Sequence, residues 1–138
     1  MTLLISNEHP RSRISRRSLE TGTRKILRHL GLRNKILGIT LVTDRAIASL
    51  NFKHLKKKGP TDVLSFPMEE EKLLGDIVIS LDTAGRQARA LGISIKTRSL
   101  TLIIHGLLHL LGYDHVKEGD FQKMSAKETE LKTLLRIL

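Results

Sequence analysis

The sequence predicts a single α/β domain, and three observations support this. The chain has 138 residues, the size of one domain with its own hydrophobic core. Segments of strand type and helix type alternate along it, and the strand–helix–strand start favours a parallel crossover. No internal repeat, low-complexity tract or linker divides the chain. We therefore expect one domain that spans residues 1–138.

The first part of the chain contains two predicted strands and two predicted helices. Residues 2–6 form a short apolar run, and residues 35–43 are rich in β-branched side chains, as in a buried strand. Between them, residues 15–30 place their apolar side chains on one helical face, and Gly31 is a suitable helix stop. Asp44 is expected to cap a short second helix.

A basic loop then leads into a predicted hairpin. Four lysines lie within residues 53–58, and Gly59–Pro60 marks a loop. Residues 61–66 and 74–80 have the composition of strands, and the acidic loop between them is short enough for antiparallel pairing.

Three helices complete the predicted fold. Asp82 is expected to cap one that ends at Gly92, and another begins near Ser94. In the final segment, residues 119–138, apolar side chains recur at helical spacing.

The formal net charge of +10 lies in the first part of the chain. Residues 1–60 contain fourteen Lys and Arg against three Asp and Glu, whereas residues 61–138 contain ten against eleven. Such a surface attracts polyphosphates, although a solubilising surface or contact with an acidic protein or membrane lipid produces the same composition. Aromatic residues are scarce, so a stacking platform for unpaired bases is not expected. We expect nucleic acid to be held mainly through its backbone.

Composition also limits the kind of site and the compartment. The chain has no cysteine, which excludes disulfides, thiolate metal ligands and a cysteine nucleophile. The apolar start, residues 1–5, is too short for a signal peptide, and the longest apolar run, residues 100–111, is interrupted by two histidines. We predict a cytoplasmic protein.

Three of the six histidines lie within residues 105–115, which read HGLLHLLGYDH. On a helix, His105 and His109 are one turn apart on the side opposite an apolar stripe, and this spacing brings two imidazoles to one point. Gly112 then allows the chain to turn back, so that His115 can supply a third nitrogen. Three nitrogens leave one tetrahedral position of a zinc ion open for water, as in catalytic sites.

These histidines repeat the ligand spacing of the HExxHxxGxxH metalloproteases. Two histidines four residues apart occur on many helices without binding metal, but a third just beyond a glycine turn favours a metal site. The glutamate with which those proteases activate water is replaced here by Gly106. The sequence therefore predicts a metal site without the proteases' general base.

The chain contains PTDVLSFP at 60–67, LGDIVIS at 74–80 and HGLLHLLGYDH at 105–115, in this order. These three motifs resemble the YbeY family of bacterial zinc-dependent endoribonucleases, and Leu50–Asn51 matches the first dipeptide of the family's central block. The resemblance covers most of the chain. It implies an α+β fold, a single domain in which a small, mostly parallel mixed sheet of about four strands packs against helices, with the metal site on a central helix. It also implies one Zn²⁺ per chain, held by His105, His109 and His115, and single-stranded RNA as the substrate in ribosomal RNA maturation and ribosome quality control.

Three further residues are candidates for roles at the site, two of them suggested by the resemblance and Asp114 by its position beside His115. Residues 61–66 would form one wall of the substrate cleft, with Ser65 a candidate for RNA contact, although a core strand has the same composition. Asp76 is either a polar residue at a strand start or a partner that orients a ligand histidine. Asp114 is a candidate for proton transfer, but it is also a typical turn residue beside Gly112.

Two positions depart from the family pattern. Members carry an arginine four residues after the asparagine of the LN dipeptide, thought to contact the phosphate being cleaved, and an acidic residue before PTD. These positions hold Leu55 and Lys58 here. Leucine cannot stabilise charge that develops on a phosphoryl group, so the resemblance implies altered or weak activity. The RNA-binding candidates that can act as point charges instead are Lys53, Lys56, Lys57 and Lys58.

Together these patterns predict a metal-dependent endoribonuclease that hydrolyses single-stranded RNA. Three alternatives stay open, the weakest of which is a generic nucleic-acid chaperone with an incidental metal site. A metalloprotease-like hydrolase is supported by the histidine spacing and opposed by Gly106 and the positive charge. A non-enzymatic or weakly active RNA- or ribosome-binding protein with structural zinc is supported by Leu55. The sequence does not indicate the oligomeric state.

Overall fold

The computed structural model describes residues 2–114 and 118–137. Within these residues the chain forms four strands and five helices, in the order that the sequence predicts. They are β1 (Thr2–Asn7), α1 (Arg16–His29), β2 (Ile36–Val42), α2 (Asp44–Leu55), β3 (Val63–Pro67), β4 (Leu73–Ser80), α3 (Leu81–Leu91), α4 (Ile95–Leu110) and α5 (Glu118–Leu135).

The strands form one mixed sheet in the order β1-β2-β4-β3. β1 and β4 each pair with β2 in parallel, which confirms the predicted parallel start. β3 pairs with β4 in antiparallel fashion, with Ser65 opposite Ile77, which confirms the predicted hairpin. The predicted small, mostly parallel α+β sheet is therefore confirmed.

The two faces of the sheet are covered differently. Side chains alternate between the faces along each strand, and Leu37, Ile39 and Ile77 point into the main core. Helix α4 lies at the centre of this core, where it packs against α1, α3, α5, β3 and β4. Val78 and Leu64 face the other way, into a smaller cluster that includes Ile47 of α2. The helix that carries the histidines is therefore the central helix of the larger layer.

Two helix caps differ from the prediction by one or two residues. Thr43 rather than Asp44 caps α2, and Ser80 rather than Asp82 caps α3, each through a side-chain oxygen that accepts a backbone N–H of the first turn. The two aspartates lie inside the first turns instead. Ser94 caps α4 as predicted.

The displaced aspartates join the carboxyl ends of three parallel strands. His9, just after β1, bonds through Nε2 to Oδ1 of Asp82 at 2.8 Å, and the Asp44 backbone N–H donates to Oδ2 of Asp82 at 2.8 Å. Because Nδ1 of His9 accepts from two backbone N–H groups, Nε2 is the donor to Asp82. Asp44 accepts in turn from the hydroxyls of Ser80 and Thr83, both at 2.6 Å. This network holds the ends of β1, β2 and β4 together.

These bonds predict acid sensitivity. The hydrogen bonds from His9 and from the Asp44 N–H lower the pKa of Asp82 below its ordinary 3.8. A lowered pKa contributes stability that is present above pH 3.8 and is lost as the pH falls through the folded value. We expect Asp82→Asn to lower the free energy of unfolding at neutral pH by about 1 kcal/mol, a modest loss because the site is partly exposed. We also expect the variant to lose less stability than the natural protein on acidification.

Urea unfolding at several pH values tests this, with Glu69→Gln in the exposed hairpin loop as the control. If the stability of Asp82→Asn depended on pH in the same way as that of the control, Asp82 would not contribute to the loss of stability in acid.

Within the described residues, no single helix has the length and apolar character needed to cross a membrane, although α3 and α4, which meet at 115°, pass that test as a bent pair.

Candidate metal and catalytic site

Helix α4 brings His105 and His109 together on its C-terminal half. Their Nε2 atoms are 3.1 Å apart, and the rings meet edge to face with centroids 4.6 Å apart. Both side chains are half-buried. The predicted convergence of these two imidazoles is therefore present in the structure.

The spacing of the two nitrogens fits a shared metal ion. Zinc–nitrogen bonds of about 2.05 Å at a tetrahedral angle place two ligand nitrogens about 3.3 Å apart. His115, the third predicted ligand, lies outside the described residues. Among the described residues there is no group of three or more His, Asp or Glu placed to hold a metal ion. The structure thus provides two of the three predicted donors in a suitable arrangement.

Glu128 on α5 contacts the other nitrogen of His105. Its Oε1 lies 3.4 Å from Nδ1 of His105, and its side chain is 23% exposed. A carboxylate at Nδ1 favours the proton on that nitrogen, which leaves the Nε2 lone pair for a metal ion. Glu128 was not among the site residues predicted from the sequence. The available signal was a glutamate on the apolar stripe of α5, between the buried Met124 and Leu131.

Asp76 lies on the wrong face of the sheet for the orienting role considered for it. Its neighbour Ile77 points toward Gly106 of α4, and strand alternation sends the Asp76 side chain to the opposite face, where Oδ1 lies against Gly38. Asp76 is also exposed. Glu128, not Asp76, is the carboxylate beside His105.

Ser65 and Gly106 form the closest contact between α4 and the sheet. The Ser65 hydroxyl donates to the Gly106 carbonyl at 3.0 Å. A Cβ on residue 106 would lie 2.9 Å from Cγ2 of Ile77 and 3.1 Å from Oγ of Ser65, so position 106 faces the sheet and has no room for a larger side chain. Contact of Ser65 with RNA stays a prediction, whereas the hydrogen bond from Ser65 to Gly106 holds α4 against β3.

A cavity of about 330 Å³ opens beside His105, between α4 and α5. Arg98 and Lys132 bring positive charge to its wall, and Phe121 and Glu128 also line it. Arg98 is held by Oε1 of Gln87 at 2.8 Å and lies 3.7 Å from Oδ2 of Asp62. The volume is at the lower end of the range for small-ligand sites. Arg98 was not among the site residues predicted from the sequence, because no local sequence pattern links it to Asp62.

The predicted RNA-binding lysines extend from the end of α2 toward β3. Lys53, Lys56, Lys57 and Lys58 are all exposed. Buried Asn51, from the LN dipeptide, donates to the Gly59 carbonyl at 3.1 Å and so ties this loop back to α2. Leu55 is 48% exposed, so packing does not require leucine there.

Asp114 follows the predicted glycine turn. Gly112 has φ of 95°, and Asp114 is exposed just after it. The turn is confirmed, while proton transfer by Asp114 stays a prediction.

Comparison with known proteins gives a consistent result. The family model described as endoribonuclease YbeY matches residues 4–136. A protein named endoribonuclease YbeY from Anaeromyxobacter sp. (strain Fw109-5) is 46% identical over 135 residues, which cover 95% of this chain and 70% of that protein. One with the same name from Aquifex aeolicus (strain VF5) is 48% identical over 115 residues, which cover 80% of this chain and 77% of that protein.

The fold also matches a solved structure. The solution structure of a Thermotoga maritima protein aligns with a TM-score of 0.65 at 27% sequence identity. The alignment covers 98% of this chain and 92% of that one.

Proposed function

The chain belongs to the endoribonuclease YbeY family, and on that premise we propose that it hydrolyses single-stranded RNA with a zinc ion held by His105, His109 and His115. The observation that carries the metal part of this proposal is the 3.1 Å approach of the two Nε2 atoms, with a carboxylate behind one of them. Ribosomal RNA or the ribosome is the proposed partner, and the cytoplasm the proposed compartment.

The protein's own residues divide the work between binding and orientation. Glu128 orients His105, and Ser65 holds the helix that carries both histidines. A bound zinc ion supplies a water of lowered pKa or polarises a phosphoryl oxygen. Arg98 and Lys132, on the wall of the adjacent cavity, provide cations for phosphate groups close to His105.

A protease function is disfavoured by the position of residue 106. In the metalloprotease pattern this residue is the glutamate that activates water. Here position 106 is buried against Ile77 and Ser65, so a glutamate that acts as the general base of such a protease would not fit there. An RNA-binding protein with structural zinc is the second candidate, because Leu55 removes the arginine that the family resemblance leads one to expect.

A cleavage assay separates these functions. We expect the zinc-loaded protein to cut labelled single-stranded RNA, and a chelator to abolish the cutting. We expect Leu55→Arg to raise the rate by about tenfold, because a guanidinium stabilises developing phosphoryl charge. The matched control is Leu91→Arg, which makes the same change at another exposed leucine, 59% accessible at the end of α3.

Each other outcome assigns a different function. RNA binding without any cleavage by the natural protein or Leu55→Arg would favour the non-enzymatic candidate. Cleavage of an unfolded protein instead of RNA would overturn the proposal in favour of a protease.

The basic loop predicts a salt-dependent effect on binding. Replacing Lys56, Lys57 and Lys58 together by Ala is expected to weaken RNA binding and to lower the slope of log K against log[salt] by about 2, at about 0.7 per lost contact with a single strand. Fluorescence anisotropy at several salt concentrations measures both quantities. Replacing Arg33, Lys72 and Arg89 by Ala gives the same change in net charge at exposed positions elsewhere. An unaltered slope in the lysine variant would remove this loop from the interface.

A further inference from the structure

A second positively charged depression lies on the other side of α4 from the histidines. It is formed by the start of α1, the start of α4 and the end of α5, and has a volume of about 650 Å³. Four cationic side chains line it, Arg17, Lys25, Lys96 and Arg136, and we call it the α1–α4 groove. All four are exposed, so the groove is open to solvent.

The lining of this groove is selective for negative charge. Among the described residues that line it there is no Asp or Glu, and the side chains between the cations include the hydroxyls of Ser18, Thr21, Ser94 and Thr97. Helices α1 and α4 both begin here without an acidic residue in the first turn, which adds to the positive potential.

The four cations are not neutralised by the described part of the chain. Within residues 2–114 and 118–137, none of them forms an ion pair with a carboxylate, whereas the neighbouring Arg24 pairs with Glu20 at 2.9 Å. Like charges gathered around one depression repel each other, and a bound polyanion relieves that repulsion. The groove therefore has the properties of an anion-binding surface.

The shape and lining of the groove favour a phosphodiester backbone. Arginine and lysine bind phosphate oxygens by charge-assisted hydrogen bonds, and hydroxyls add neutral donors. The described part of the lining has no aromatic side chain, so bases would not be stacked there. A volume of about 650 Å³ exceeds what a single phosphate fills, and the open form suits a strand that passes through.

The groove is separate from the candidate catalytic site. Leu100, which lines it, is about 140° around the helix from His105 and about 180° from His109. A strand that occupies both places must therefore pass around α4, so only a long strand can reach both.

We propose that the α1–α4 groove is a second binding site for the backbone of single-stranded nucleic acid, which anchors a long RNA while another part of it lies at the histidines. The proposal rests on the proposed function only in naming RNA as the natural strand.

Binding of oligodeoxythymidylate tests the groove without cleavage, since DNA has the same phosphodiester charge and is not the substrate of an endoribonuclease. We expect the triple variant Arg17→Gln, Lys25→Gln and Lys96→Gln to bind a strand of about 24 nucleotides about tenfold more weakly, with a salt slope lower by about 2. A strand of about 6 nucleotides occupies only one of the two sites at a time and can still bind at the histidines in the variant, so it is expected to lose at most about twofold of its affinity. Lys25→Arg with Lys96→Arg keeps the charge and is expected to keep the affinity.

The control carries the same charge change outside the groove, at Arg33, Lys72 and Arg89, each to Gln. Equal losses of affinity in the groove variant and the control variant would show a general effect of net charge and would overturn the proposal. Equal losses of affinity for the short and the long strand would overturn it in the same way. Loss of binding only to vesicles that contain anionic lipid would overturn it in favour of a membrane surface. A failure of RNA cleavage by the natural protein leaves this binding test unaffected, so the two proposals fail separately.

Discussion

His109→Ala is expected to abolish zinc binding and RNA cleavage together. The structure places Nε2 of His109 3.1 Å from Nε2 of His105, and removing one imidazole leaves too few donors for a tight site. Elemental analysis of the purified protein is expected to give close to one zinc per chain for the natural sequence and close to none for the variant. The fold is expected to persist, because His109 is half-buried at the rim of the core.

Two further variants make this result specific. His29→Ala removes an exposed histidine of α1 that contacts Glu130, and it is expected to leave the zinc content unchanged. Glu128→Gln, which alters a carboxylate partner of His105, is expected to lower zinc affinity by about 10- to 100-fold. A full zinc content in His109→Ala would show that the metal, if bound, is held elsewhere.

Gly106→Ala is expected to destabilise the protein, although alanine ordinarily favours a helix. In an open helix this exchange stabilises by up to about 1 kcal/mol. Here the new Cβ would lie 2.9 Å from Ile77, and the helix or the strand must move to relieve the contact. We expect the free energy of unfolding to fall by about 1–3 kcal/mol, as for other overpacked cores.

The matched control is Gly85→Ala in α3. A Cβ at position 85 meets only Cδ1 of Ile95, at an ordinary 3.7 Å, so this variant is expected to be as stable as the natural protein or slightly more stable. Urea unfolding measures both variants. Because His105 directly precedes Gly106, we also expect Gly106→Ala to bind zinc more weakly. Equal stability of the two variants would contradict the close approach of α4 to the sheet.

Much of the fold was predictable because it depends on local pattern. The order and type of all nine elements within the described residues follow from the spacing of apolar side chains and from glycine and proline positions. The spacing of His105 and His109 is a property of any helix, and Gly112 was a turn signal by itself. Helix caps were less predictable, since Thr43 and Asp44 are both good capping residues and the network with Asp82 decides between them.

The sequence by itself determined the class of fold, the histidine pair and the family, because each depends on residues close together in the chain or on a motif in fixed order. Only the tertiary structure decided which carboxylate serves His105, since Glu128 is 23 residues away and Asp76 faces the other side of the sheet. It also gathered Arg17 of α1, Lys96 of α4 and Arg136, just after α5, into one groove. Side-chain direction across a packed interface depends on strand alternation and helix rotation together, and no local pattern in the chain encodes both.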